Sequence, residues 1–295
     1  MMTTFNAMPQ SLIKGVIIGV LLALLAACST LRLAYGNGPQ LAWWWLDGYL
    51  DFAAEQAPRA RQAIDGWFAW HRNTQLAGYA SLLAQARAQV AEPTTPAAAC
   101  RWQQQMRDRL EPALERTIDA FAGLVPGLGE AQLRHLEQRF AKNNADLRRD
   151  YLQPDAAERS RAAVERVVER AEQLYGRLDE TQKKLVADGV AASPFDPEAW
   201  LAERVRWQRE TLRALRHLVA DKAGPDEIVA ALRVLAERAE RSPDPEYRDY
   251  QLRLVDYNCA FAARLHNTTT ATQRQAARER LGGWEADLRS LAGAG

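Results

Sequence analysis

Histidine and cysteine are scarce in this chain, four of the first and three of the second among 295 residues. His71, His135, His217 and His266 stand far apart, and neither His-x-x-x-His nor Cys-x-x-Cys occurs, so no metal-ligand spacing presents itself. A Gly-x-Ser-x-Gly turn and a phosphate-cradling glycine loop are missing too. The expectation is therefore a chain with no catalytic residues, no metal and no cofactor. Neither sign of charge is in excess: 38 basic residues face 37 acidic ones, a formal net charge of +1. That balance argues against nucleic acid as a partner. The arginines are interleaved with Glu and Asp, the pattern of solvated, ion-paired helix faces. No apolar run reaches the roughly 20 residues of a membrane span, and no stretch alternates with the period of two that a strand requires.

What is present begins with an address. Lys14 precedes an apolar run from Gly15 to Ala27 with the length of a secretory h-region. It ends in Leu25-Ala26-Ala27-Cys28, the signature of a bacterial lipoprotein signal. Small residues admit the extended chain to a peptidase that cuts between Ala27 and Cys28, after the Cys28 thiol has taken a diacylglyceryl group. Each buried CH₂ of such a group contributes about 0.8 kcal/mol, so several acyl chains on one cysteine anchor stably. The residue after the anchor is Ser29, not the aspartate of lipoproteins retained in the inner membrane. By resemblance to sorted lipoproteins, the expected location is the outer membrane, facing the periplasm.

Export leaves Cys100 and Cys259 open to two readings. They are either a disulfide closing 159 positions, worth about 4–5 kcal/mol on a chain-entropy model, or two separate thiols on different helices.

Helical periodicity fills the mature chain. Residues 1–27 read as leader and 28–38 as a lipidated tether ending in the turn cluster Tyr35-Gly36-Asn37-Gly38-Pro39. Two helical regions follow, 39–193 and 194–295, separated by Ser193-Pro194-Phe195-Asp196-Pro197. The stripes predict about ten amphipathic helices, an all-α elongated bundle of one lobe or two. Among them, Met106, Leu110, Leu114, Ile118, Phe121 and Val125 stripe a third helix after the Thr95-Pro96 cap. Tyr247, Tyr250, Leu254, Tyr257, Phe261 and Leu265 stripe a ninth.

A short pattern recurs at helix starts. Leu128-Gly129-Glu130-Ala131-Gln132 opens a fourth helix and Leu178-Asp179-Glu180-Thr181-Gln182 a sixth, with a weaker echo at Thr272-Gln273. One reading is capping chemistry alone: a loop leucine, a cap residue, and Glu at the positive end of the dipole. The other is a resemblance to small helical periplasmic stress chaperones, which carry paired Leu-Thr-x-x-Gln motifs. That resemblance implies a cradle for unfolded proteins.

The most conspicuous stretch is Ala42-Trp43-Trp44-Trp45-Leu46-Asp47-Gly48-Tyr49-Leu50-Asp51-Phe52. On a helical wheel its apolar residues fill an arc of about 200°, with Trp45 central and Trp43 at the edge. Trp44 shares the remaining face with Asp47, Asp51 and Glu55, spaced i, i+4, i+8. Like charges at that spacing cost about 0.2–0.5 kcal/mol per pair. Arg59, four residues after Glu55, offsets one end. The readings are a buried helix with an ion-paired acidic stripe, a partner surface of Trp44, Asp47, Asp51, Glu55 and Arg59, or a lipid-interface belt. The aspartates weigh against the last.

Together with Cys28-Ser29, Leu31-Arg32-Leu33-x-Tyr35, Gln56 and Trp70-His71-Arg72, this stretch resembles the start of a family of uncharacterised proteobacterial lipoproteins. The resemblance implies a lipid-anchored all-α protein and no activity. The expected function is that of a non-enzymatic lipoprotein bound to the membrane through Cys28 and contacting an envelope protein. A periplasmic chaperone or stress sensor is the alternative.

Overall fold

The computed structural model describes residues 30–293. The leader and the expected cleavage and lipidation site, Ala27 and Cys28, lie outside the described residues. Among those described there are twelve α-helices, a single 3₁₀ turn and no strand, an all-α fold. In chain order these are α1 (Thr30–Gly36), α2 (Gly38–Leu50), α3 (Ala57–Thr74), α4 (Leu76–Gln89), α5 (Pro96–Ala122), the 3₁₀ turn (Val125–Gly127) and α6 (Glu130–Tyr151). There follow α7 (Ala156–Tyr175), α8 (Glu180–Ala191), α9 (Pro197–Ala220), α10 (Pro225–Glu240), α11 (Pro245–Asn267) and α12 (Ala271–Ala292).

Two helices exceed the ten read from the stripes. The expected tether is not free chain, because residues 30–36 coil into α1 and dock. Arg32 pairs with the buried Asp287 of α12 at 2.9 Å, and Tyr35 packs against Phe68 of α3. Gly38 is required there, since a Cβ at this position would overlap the Phe68 ring. The second extra helix comes from a break at Gln75. The Thr74 hydroxyl bonds back to the Trp70 carbonyl at 2.7 Å, an interaction that bends helices and here separates α3 from α4.

Most helix ends follow their capping chemistry. The side chains of Thr95, Asp155, Asp179, Asp196, Asp244 and Thr270 each accept a backbone N–H of the first turn. Gly176, with φ of 77°, ends α7. The last helix starts at Thr270, two residues before the Thr272 read from sequence.

The largest core cluster joins Leu50, Ile118, Leu133, Leu136, Leu212, Leu215 and Ile228, from both sides of the 193–197 segment. One prediction fails on α5: Met106, Leu110 and Leu114 are exposed, and only the last part of that stripe, from Ile118, is buried. The first turns of α5 are instead tied to the body through half-buried Cys100, which is bonded to Cys259 of α11 (S–S 2.07 Å).

The recurring glutamines do more than start helices. Gln182 and Gln273 exchange reciprocal amide bonds of 2.8 Å. Each also donates to a carbonyl in the loop before the other's helix, Thr268 at 3.0 Å and Arg177 at 2.9 Å. Each accepts the backbone N–H three residues before itself, from Asp179 and Thr270. The same six-bond clasp joins Gln56 and Gln132. They bond each other at 3.2 and 2.9 Å, donate to the carbonyls of Gly127 and Asp51, and accept from Ala53 and Gly129. In all four cases the accepting carbonyl lies five residues before the partner glutamine. The packing around the two clasps matches: α2 lies on α3 and α6 as α7 lies on α8 and α12, while α5 and α11 face each other across the disulfide. The halves also exchange elements, since α4 packs along α12 and α9 along α6. The two halves of the chain thus repeat one hydrogen-bond and packing pattern.

Candidate functional site

The tryptophan triplet divides differently from its sequence reading. Trp43 is the core residue, 7% exposed, packed with Ala60 and Leu124, stacked on Phe52 at 5.7 Å and covered by the Arg61 guanidinium at 4.1 Å. Trp44 and Trp45 are both 63% exposed. The prediction of Trp45 as a core anchor is therefore overturned. The physical reason is the width of the apolar arc. About 200° of apolar surface is roughly twice what one packed face covers. The fold buries the half holding Trp43, Leu46 and Leu50 and leaves Leu41 and Trp45 outside. Trp45 lies instead against Tyr49 at 4.7 Å, whose ring meets Phe140 and whose hydroxyl accepts from Asn143.

The acidic stripe does not form either. α2 ends at Leu50, and Asp51 takes a left-handed conformation with φ of 49°. Asp51 and Glu55 therefore leave the helix face of Asp47. Asp47 turns its carboxylate to the Phe52 N–H at 3.1 Å, satisfying backbone beyond the helix end. Among the described residues no ion pair involves Asp47, Asp51, Glu55 or Arg59, the last of which lies beside Gly123. Of the five residues read as a partner surface, Trp44 alone presents a large exposed apolar group.

Behind this face sits an aromatic box. His71 is buried, stacks on Trp67 at 4.6 Å, lies near Tyr79, and meets the Tyr35 hydroxyl through Nδ1 at 2.8 Å. Burial lowers the His71 pKa below its ordinary 6.5 and raises that of Tyr35 above 10.0. Near neutral pH the imidazole is therefore neutral, and its Nδ1 shares one hydrogen bond with the Tyr35 hydroxyl. Among the described residues no carboxylate is hydrogen-bonded to this ring, which is held by the Tyr35 hydroxyl and the Trp67 face. His71 is the hydrogen-bonded interior histidine its neighbours Trp67 and Trp70 suggest. A second such pair, Tyr175 with His266, closes the other half at 2.8 Å, with His266 Nε2 on the Glu92 carbonyl. His135 reaches the Gly48 carbonyl at 3.2 Å and His217 lies exposed beside Asp221.

A second apolar surface escaped the sequence reading. Trp102 and Met106 of α5 border a groove of about 280 Å³ with Leu82, Leu83, Leu174 and Trp284, and Leu110 and Leu114, further along the same helix, are exposed as well. The signal was the Met106 stripe itself, read as core.

A family model matches residues 48–248, more than half of the chain. The chain belongs to DUF6279, a family of unknown function. The match begins at Gly48, so Cys28 and the tryptophan triplet precede the DUF6279 span, and it takes in the Gln56–Gln132 clasp whole. No curated protein and no solved structure matches the chain. Among the described residues no helix is long and apolar enough to cross a membrane, and no cluster of three His, Cys, Asp or Glu is placed to hold a metal.

Proposed function

We propose that this DUF6279 protein is a non-enzymatic lipoprotein, anchored through diacylglyceryl-modified Cys28 to the periplasmic side of the outer membrane, where it binds another envelope component. The observation that carries this reading is the placement of α1 and α2. Only Ser29 stands between Cys28 and α1, and the following helix leaves Leu41, Trp44 and Trp45 exposed among the described residues. Exposed tryptophans carry large apolar area and are characteristic of binding surfaces rather than of free ones. The aromatic surroundings of His71 support a structural rather than catalytic role for that residue. A Cys28→Ala variant is expected to lose incorporation of radiolabelled palmitate and to keep its leader. Normal processing of that variant would sink the anchor.

A second reading, a periplasmic holdase, is supported by two features: the groove along α5 and the pairing of the glutamine segments that resemble chaperone motifs. Its test is suppression of aggregation of an unfolded outer-membrane protein. Met106→Asp with Leu110→Asp should abolish protection if the groove holds the client.

A further inference from the structure

The outward half of α1 and α2 is one surface. The Asn37 N–H bonds the Leu33 carbonyl and the Leu41 N–H bonds the Asn37 carbonyl, so the i→i−4 ladder runs across the junction and both helices share a screw. On that screw Leu33, Trp44, Leu41 and Trp45 fall within about 120° of one another, and all four are largely exposed. Tyr35, Trp43, Leu46 and Leu50 occupy the opposite side and hold the pair to the body.

We propose that this face lies on the lipid surface of the membrane that holds the Cys28 anchor. The inference rests on the lipoprotein reading and deepens it by making the bilayer itself the envelope component bound. Reach is the first argument. With Cys28 and Thr30 two positions apart, the link spans at most about 7 Å, so an acyl group in the bilayer places α1 at its surface. Chemistry is the second. Tryptophan favours the headgroup level, where an amphipathic ring is half wet, and Leu33 and Leu41 supply the apolar area of an interfacial helix. The structure reduces the objection from the aspartates. Asp47 sits at the edge of the face and is spent on the Phe52 N–H, while Asp51 lies past the helix end. Charge is the third. Gly48, on the outward arc, has the Arg139 guanidinium beside it, a cation at the margin of the face that suits a lipid phosphate.

The test uses the full lipidated protein in vesicles of phosphatidylethanolamine and phosphatidylglycerol, with bromine carried either near the headgroup end or near the tail end of the acyl chains. The chain has nine tryptophans. Shallow bromine is expected to quench a minor part of their emission and deep bromine less. A Trp44→Ala/Trp45→Ala variant, still vesicle-bound and with unchanged far-ultraviolet dichroism, should lose that quenching. A protein that floats with the vesicles but shows no shallow quenching, or an undiminished one in the double variant, overturns the inference and leaves the anchor standing. Absence of acyl mass on Cys28, together with failure to float, overturns both. A photocrosslinker at position 44 that captures a protein in place of lipid also overturns it.

Discussion

The two glutamine clasps make the same six hydrogen bonds in different surroundings. Gln182 is 1% exposed and Gln273 is buried beside it, and the cap residues Asp179 and Thr270 add side-chain bonds to the N–H groups of Gln182 and Gln273, at 2.8 and 3.2 Å. Gln56 and Gln132 are half-buried, and the residues three before them, Ala53 and Gly129, have no side-chain oxygen to offer. A bond count would rate the clasps equal. Energetically they differ, because an unmet amide in a dry site loses water as well as its partner, whereas a half-wet one recovers most of the loss. The C-terminal half is thus fastened by its clasp, and the N-terminal half carries a looser version next to the face that Trp44 and Trp45 expose.

The largest effect should come from the covalent tie between the halves. Replacing Cys100 and Cys259 by serine is expected to cost about 4–5 kcal/mol on the chain-entropy model, read as a lower denaturant midpoint with a steeper slope, because the unfolded chain without its cross-link exposes more surface. A cost near zero would mean that the interface of α5 and α11 holds without it.

Next come the clasps themselves. Gln182→Ala orphans the Gln273 amide, the Thr268 carbonyl and the Asp179 N–H, and should cost about 3 kcal/mol, since each buried unpaired group costs about 1–3. Gln132→Ala should cost about 1 kcal/mol because water reaches the same groups. Equal midpoints for the two variants would break the comparison, and a larger loss for Gln132→Ala would invert it.

A smaller expectation separates the halves by pH. His71 is held neutral by burial, with its pKa below the 6.5 of an unfolded chain. Below pH 6.5 the unfolded chain takes up the proton first, so stability falls as pH drops from 6.5 toward the native pKa and is level above pH 6.5. Unfolding midpoints measured from pH 7.5 to 5 should show this slope, and His71→Gln should flatten it. A slope that survives the substitution places the titrating group elsewhere.

How much of this was legible follows from the range of each interaction. Asp179, Thr95 and Gly176 were readable as helix ends because a cap is settled within four residues. The helix count missed α1 because a glycine-rich turn cluster hides a seven-residue helix whose stability comes from Asp287, Phe68 and His71, all distant in sequence. The clasps were half visible: Gln132 and Gln182 stood in recognisable capping segments, but their partners lie 76 and 91 positions away. Gln56 follows Ala53, which carries no capping signal at all. Trp45 was misplaced because periodicity reports which residues are apolar, and a helix with an apolar arc of about 200° has more than one face a neighbour can choose. The α5 stripe failed for the same reason in reverse, since a regular apolar row is also what an exposed binding edge looks like.

The smallest effect on stability sharpens the contrast between neighbours in the triplet. Trp44→Ser and Trp45→Ser remove side chains that make few contacts in the fold, so each should move the unfolding midpoint by no more than about 0.5 kcal/mol, the range of surface substitutions. Trp43→Ser, one residue away, removes a ring packed between Phe52 and the Arg61 guanidinium and should unfold the first helices from the body. The two outward tryptophans are then costly residues that the fold does not need, and selection for binding is what such residues report. A loss of more than about 2 kcal/mol for Trp44→Ser, the size of a core truncation, would return Trp44 to architecture and remove the reason for placing a surface there.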